Sequence, residues 1–402
     1  PPSVWESSVL PARVRDYRPA MLDGLLSSGE IVWVGSKTTG SKAKEPGLVA
    51  LHPADSLLLT VQDGEKNGEA PGEPVTLPDA VMAVLAPGGA YHANQLAGLT
   101  RAAWDASSEC VDESTGEILP HPWSDSQFEE ALWSLVWQGK VTNSSFDPLR
   151  SLGASSHAVK APARASRRRV RVRVSVPANM TGLWSAVPHA DMQEASAERV
   201  AIARIEALLD RYGVIAPPMI DKERLDGGFS GLYPVLRRME EHGALMRGMF
   251  VSGCGAAQFA SRQTVDALRA CAAEPSAVVL DATDPANLYG SVIAWPRTIG
   301  GFSIRPARRS GASVVLRGGR LLAYAVPRSH HLLLAQDADP ALQQACNELA
   351  YALQRNLRDG GIRGGVTFCD ANDEPLTVRG EWSRMLHVAG FVPVPQGMRL
   401  YC

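Results

Sequence analysis

A helix that ends on a glycine and passes straight into a β-strand occurs three times in this chain, and no other feature limits its fold as much. The first copy runs from Met21 through Gly29 to Gly35, with apolar residues at 21, 22, 25 and 26 and then Ile31 and Trp33 alternating as in a strand. The second runs from Phe128 through Gly139 to Asn143. Its apolar positions 128, 131, 132, 135 and 136 follow the i, i+3, i+4, i+7, i+8 stripe of a helix with one buried face. The third runs from Leu232 through Gly243 to Phe250, with its stripe at 232, 235, 236 and 239. Glycine enters the left-handed conformation at little cost, which closes each helix and redirects the chain.

The segments ahead of the stops complete the unit. Pro78 to Leu85 predicts a short helix, broken by Pro87-Gly88-Gly89, with a second short element around Asn94 to Leu99. Glu194 to Tyr212 predicts a longer amphipathic helix ended by Gly213, and the next helix is expected to begin at Asp221 to Arg224. Helix, turn, helix, glycine, strand is the order of a winged-helix module. Beyond about residue 276 the pattern changes. Ala277 to Leu280 reads as a strand and Asp284 to Gly290 as a turn-rich loop. Ser313 to Leu316 and Leu321 to Val326 read as a hairpin around Gly318-Gly319, with another strand at His331 to Leu334. Ala341 to Leu357 is a long amphipathic helix, followed by a strand at Val366 to Phe368, a helix at Glu381 to His387, and apolar pieces at Val392 to Val394 and Leu400-Tyr401.

A chain of 402 residues is too long for one ordinary domain. The fold class expected is α+β: tandem winged-helix modules followed by a small β-barrel-like module with a covering helix. The expected division is a winged helix over 1–62, continued from upstream, a second over 63–150, and a basic linker and strand over 151–185. A third winged helix over 186–275 and the β-barrel-like module over 276–402 follow. The start at Pro1 reads as the cut end of a longer chain, with neither a cationic nor an apolar leader region.

Net charge is −2, but the charge is polarised. From Asp105 to Glu130 eight acidic residues occur with no Lys or Arg. Between Asp147 and Asp191 there is no acidic residue, while Arg150, Lys160, Arg164, Arg167, Arg168, Arg169, Arg171 and Arg173 fall inside. In Arg169-Val-Arg171-Val-Arg173-Val the alternation predicts a strand with one arginine face. Arginine pairs with phosphate through a planar fork, and clustered cations release counterions from a polyanion. Arg164, Arg167, Arg168, Arg169, Arg171 and Arg173 are therefore the candidate DNA contacts. A solvated linker is the plain reading of the same run.

Catalytic motifs are few. No Gly-x-x-x-x-Gly-Lys-Ser/Thr, His-Glu-x-x-His or Gly-x-Ser-x-Gly occurs. The six cysteines form no Cys-x-x-Cys pair, so no metal site is expected and reduced thiols in a cytoplasmic protein are. His330 and His331 are adjacent and would point to opposite faces of a strand. Asp281 and Asp284 flank a strand end and a Pro-Asn turn, where Asp usually caps; they are the candidate catalytic carboxylates. Trp133, Trp137, Met249 and Phe250 are the candidate anchors of a subunit interface, with core packing as the plain reading. Gly248 and Gly253 flank the third wing, where a nucleic-acid backbone is expected to come close. No window approaches the apolar length of a membrane span.

Several strings together resemble the C-terminal region of the Lhr (large helicase-related) family of bacterial DNA-repair helicases. They are Trp5 to Tyr17, Leu22 to Trp33, Ala131 to Asn143, Gly182-Leu-Trp-Ser185, Gly227-Gly-Phe-Ser230, Gly255 to Ala260 and Ala282 to Gly290. The resemblance implies tandem winged helices plus a β-barrel-like module. It implies an upstream ATP- and Mg-dependent 3'-5' helicase core, single-stranded or forked DNA as partner, and a homo-oligomer, a tetramer. This segment itself would need no cofactor. The architecture is also similar to the AlkZ/YcaQ-like winged-helix DNA glycosylases, and Leu280 to Asn287 is similar to the segment leading into their barrel. Their catalytic Gln-x-Gln or Gln-x-Asp pattern belongs to the first winged helix, a module expected upstream of Pro1, and no Gln-x-Gln is found here, so that likeness assigns no catalytic residue. The leading expectation is thus a non-catalytic DNA-engaging and assembly region of an Lhr-type helicase. The alternative is part of a base-removing or crosslink-unhooking site shared with upstream modules.

Overall fold

The computed structural model describes residues 2–37, 47–56, 58, 76–106, 110–111, 118–119, 123–154, 177–188, 196–223, 225, 227–273, 276–336, 341–359, 364–377 and 379–401. The chain divides into two compact units, Pro1–Val200 and Ala201–Cys402.

In the first unit, helix α1 (Pro19–Ser27) leads into the antiparallel hairpin β1 (Ile31–Ser36) and β2 (Leu48–Pro53). Then come α2 (Leu77–Leu85), β3 (Tyr91–His92), α3 (Ala93–Ala106), α4 (Asp125–Trp137), β4 (Val141–Asn143), α5 (Asp147–Ala154) and β5 (Leu183–Ala186). The last strand returns between the other two, giving the order β3-β5-β4. Three helices and a small sheet in that order are a winged helix. Thr76 caps α2 by accepting from the Asp79 amide, while the Asp79 carboxylate accepts from the Thr76 amide at 2.9 Å.

The second unit repeats this arrangement with other residues. It has α6 (Ala197–Tyr212), β6 (Val214–Ile215), α7 (Pro217–Glu223), α8 (Gly228–Glu241), β7 (Met246–Gly248) and β8 (Gln258–Ala260). The strand order is β6-β8-β7, again with the third strand in the middle. The expected helix start at Asp221 is corrected: Pro217 opens α7 at its first turn, where a missing N–H costs nothing, and Glu223 ends it.

The three glycine stops share one geometry. Gly29, Gly139 and Gly243 have φ of 77°, 75° and 75°. The following amides of Glu30, Lys140 and Ala244 donate back to the carbonyls of Leu25, Leu135 and Met239 at 3.1, 3.0 and 2.9 Å. That six-to-one bond is the Schellman closure, and it explains why the same residue type recurs there.

After α9 (Arg262–Ala273) the second unit holds two further sheets. Strands β9 (Ala277–Asp281), β10 (Ser313–Arg317), β11 (Arg320–Val326) and β12 (His331–Leu334) form an antiparallel run. The second sheet uses β13 (Gly365–Phe368), while β14 (Asp370–Ala371) and β15 (Glu374–Pro375) extend the first beyond β12. Helix α10 (Leu342–Asp359) lies against β9, β10 and β11. Helix α11 (Glu381–Val388), β16 (Val392–Val394) and β17 (Gly397–Tyr401) close the chain. The six-stranded order is β9-β10-β11-β12-β14-β15 and the three-stranded order is β13-β17-β16. The expected barrel is therefore corrected among the described residues. Both sheets are open, and the apolar side chains of β11 and β12 are buried by helices and loops instead of by closure of the sheet. The covering helix is found where the periodicity places it.

Candidate nucleic-acid interface

A winged helix meets nucleic acid through its third helix and its wing, so the exposure of those elements decides what each module can do. In the first unit that helix, α4, is covered. The β1–β2 hairpin lies on its C-terminal end, with Gly35 against the Val136 carbonyl and the Trp137 ring, and is tied to β4 and the turn after it: Thr142 donates its hydroxyl to the Trp33 carbonyl at 2.7 Å, and the Trp33 indole donates to the Ser145 carbonyl at 3.2 Å. Trp133 and Trp137 are 0% and 5% exposed. Trp133 packs edge-on to Trp184 and tilted against Trp137, both at 5.6 Å between ring centroids. The two tryptophans expected at a subunit interface are thus interior packing of this unit.

Arg150 is also structural. It binds Glu6 at 2.7 Å, Asp23 at 2.8 Å and Asp147 at 2.6 Å, tying α5 to the N-terminal segment and to α1. Those hydrogen-bonded carboxylates hold its guanidinium more firmly protonated than usual, against the effect of burial. The rest of the basic run, from Lys160 through Arg164, Arg167, Arg168, Arg169 and Arg171 to Arg173, lies outside the described residues.

In the second unit the third helix is open. Leu232, Val235 and Leu236 of α8 face the core, while Ser230, Pro234, Arg237, Arg238 and Glu241 are exposed. Arg237 pairs with Glu241 at 3.0 Å, which offsets part of that charge. Arg247 on β7 reaches the Tyr233 hydroxyl at 3.5 Å. Met249, at the turn of the wing, is 81% exposed, and Phe250 is half-buried.

A glutamine shapes this wing. Gln258 is fully buried, and its side-chain oxygen accepts from the Phe250 and Val251 amides at 2.9 and 2.8 Å. Its amide nitrogen donates to the Val251 and Gly255 carbonyls at 2.8 and 2.6 Å. The glycines nearby have internal reasons. A β-carbon on Gly248 would stand 2.8 Å from the Phe250 ring, and Gly253 has φ of 82° with open space beside it. Neither needs a ligand to explain it.

Asp281 and Asp284 hold a loop. Asp281 accepts from the Thr283 amide at 2.8 Å and from the Gly311 amide at 3.2 Å; Asp284, 1% exposed, accepts from the Ala286 amide at 2.8 Å. Arg308 completes the loop by donating to the carbonyls of Thr283, Asp284 and Asn287. The adjacent histidines diverge. His330 has φ of 63° and places Nδ1 2.8 Å from the Thr367 carbonyl, while His331 Nδ1 lies 2.7 Å from an Asp370 oxygen. Among the described residues no group of three potential ligands could hold a metal.

Residues 1–54 and 194–279 each match a family model described as "Large helicase-related protein, winged-helix domain", the third and the fourth such domain respectively. The whole chain aligns with the "Lhr helicase/uracil glycosylase" of Escherichia coli K12 at 37% identity over 421 residues, which is 99% of this chain and 25% of that protein. Two stretches of the chain thus match Lhr winged-helix domains, and its whole length is similar to part of an Lhr protein. A second Lhr relative, the "Lhr helicase/ probable uracil glycosylase" of Mycolicibacterium smegmatis, is 37% identical over 425 residues, 100% of this chain and 26% of that protein. The chain spans about a quarter of the length of these Lhr relatives. The module with the covered α4 lies between the two matched Lhr domains.

Sequence reasoning missed the contrast between the two recognition helices. The signal was present. The α4 stretch has its five-residue apolar stripe plus two tryptophans and only acidic charges, whereas α8 alternates an apolar face with Arg237 and Arg238.

Proposed function

We propose that this chain is the DNA-engaging and assembly region of an ATP-dependent Lhr-type helicase that acts in DNA repair in the cytoplasm. One observation carries the reading: of two modules with the same strand order, one has the C-terminal end of its recognition helix covered by a hairpin and shows no basic residue on the rest, while the other leaves helix and wing open to solvent with Arg237, Arg238 and Arg247. The first is a scaffold and the second is the contact. The names of both relatives include helicase. The motor, with its ATP and Mg²⁺, belongs to the length of those relatives that this chain does not span. The run from Arg164 to Arg173 adds phosphate contacts without base readout. Assembly into a homotetramer is part of the same reading, and the particle mass in solution tests it.

Binding of labelled single-stranded, duplex and forked DNA at several salt concentrations tests the DNA contact. Arg238→Ala with Arg247→Ala is expected to weaken all three. The salt slope on duplex is expected to fall by up to about 0.9 for each phosphate no longer neutralised. Unchanged affinity and slope remove the proposed contact.

Base removal is the second reading, favoured by the words "uracil glycosylase" in the names of both relatives. It predicts release of uracil from uracil-containing DNA by a site shared with the rest of the protein. Loss of release in Asp281→Asn or Asp284→Asn at retained stability assigns a carboxylate to that chemistry. Unchanged release leaves both as supports of the 281–290 loop.

A further inference from the structure

Between Asp284 and Asp337 the chain has seven arginines, Arg297, Arg305, Arg308, Arg309, Arg317, Arg320 and Arg328, and no acidic residue. Unlike the run from Arg164 to Arg173, this stretch is described except at its last boundary, and the fold sorts its arginines by role. Arg308 turns inward to the loop carbonyls already described. Its neighbour Arg309 turns outward. Arg309 Nε donates to the Tyr324 hydroxyl at 2.9 Å. Tyr324 is fully buried on β11 and pins the same segment, donating to the Ala307 carbonyl at 3.0 Å and accepting from the Ala307 amide at 3.3 Å. One edge of the Arg309 guanidinium is thereby fixed.

Arg328 comes to the same end of the sheet from the turn between β11 and β12. Its Nε lies 4.0 Å from where a β-carbon on Gly311 would stand. Arg305, two residues before Ala307, is exposed, as are Arg309 and Arg328. Among the described residues none of these three pairs with a carboxylate. The carboxylates nearby are turned elsewhere: Asp281 to Thr283 and Gly311, Asp370 to His331. Arg305, Arg309 and Arg328 thus present exposed positive charge that no carboxylate pairs directly, which favours a polyanion at this end of the sheet. Holding one edge of a guanidinium in advance also lowers the ordering cost of contact. The surface of α8 needs such a supplement, because Glu241 offsets Arg237.

We propose that Arg305, Arg309 and Arg328 form a second DNA contact, on the C-terminal sheet, that binds the phosphates of a strand irrespective of base. This rests on the DNA-engaging reading above. The test uses the full 402-residue chain and a labelled single-stranded oligonucleotide, with affinity measured against salt. Arg305→Ala with Arg328→Ala removes two side chains that hold no internal ion pair, so the melting temperature is expected to stay put. The salt slope is expected to fall by about 0.7 for each single-strand phosphate no longer neutralised, with weaker binding of every sequence. Arg309→Lys keeps the charge, loses the fork, and is expected to weaken binding less than Arg309→Ala. If the wild-type chain binds no DNA, the broader reading fails. If the wild type binds and Arg238→Ala with Arg247→Ala weakens it, while Arg305→Ala with Arg328→Ala leaves slope and affinity unchanged, this inference alone is overturned. Weaker binding of one sequence only also overturns it, because phosphate contact is sequence-blind.

Discussion

Gly35 sits so close to Val136 that a β-carbon on the glycine would stand 2.5 Å from the valine carbonyl oxygen and 3.0 Å from the Trp137 ring. The obstacle is backbone, which cannot rotate away. Gly35→Ala must therefore lift the β1–β2 hairpin from α4. Overpacking of this kind costs about 1–3 kcal/mol, read as a lower melting temperature of the first unit. An unchanged melting temperature would show that the hairpin does not seal this helix.

Gln258 makes four hydrogen bonds from a fully buried side chain, and two close the wing onto backbone amides. Gln258→Leu has a similar volume and leaves those groups without partners. Each buried orphan costs about 1–3 kcal/mol. Reduced stability is expected together with faster amide exchange at Phe250 and Val251. Exchange that stays at the wild-type rate would mean the wing is shaped by something else.

Tyr212 donates a short hydrogen bond to Glu223 at the end of α7. Burial, and then that bond and the carboxylate charge, push its phenol up to about 12 from the ordinary 10.0. The folded protein therefore keeps the proton that the unfolded chain gives up near pH 10.0. The stabilisation is complete below that ordinary value and fades as pH rises through the raised one. Urea unfolding in this window is expected to show falling stability, with a shallower fall in Tyr212→Phe. Identical pH profiles would assign the alkaline loss to other groups.

Cysteine reactivity should follow burial. Cys271 is exposed on α9, whereas Cys346 is buried in α10 and its thiol is pushed up to about 12 by burial. The thiolate is the reacting form, so an alkylating reagent near neutral pH is expected to modify Cys271 and to reach Cys346 only on unfolding. Peptide mapping after a short exposure decides it, and early modification of Cys346 would contradict the packing of α10 on its sheet.

Local rules carry much of the architecture. Gly29, Gly139 and Gly243 are readable as stops because a left-handed residue after an amphipathic helix has few alternatives. Gly318-Gly319, with φ of 55° and 79°, is readable as the hairpin turn for the same reason. What stays hidden depends on contacts between distant residues. Nothing near Leu183 announces that its strand will return between β3 and β4, although Gly182, whose β-carbon would strike the Asn143 side chain, marks the place. A stripe of apolar residues in α4 and one in α8 look alike until the hairpin at Trp33 covers one of them. Open sheets and a barrel read alike as well, because strand count fixes no closure. Arg308 and Arg309 are adjacent letters, yet one knits a loop and the other meets solvent, and only the Tyr324 hydroxyl separates them.

The hairpin on α4 also governs how this chain can be cut. Any fragment begun after residue 53 would strip the cover from Val136, Trp137 and Thr142 and leave a raw apolar strip in water, which favours clumping. The first fifty residues and the module after them therefore have to be expressed as one piece, even though each has the outline of an independent fold.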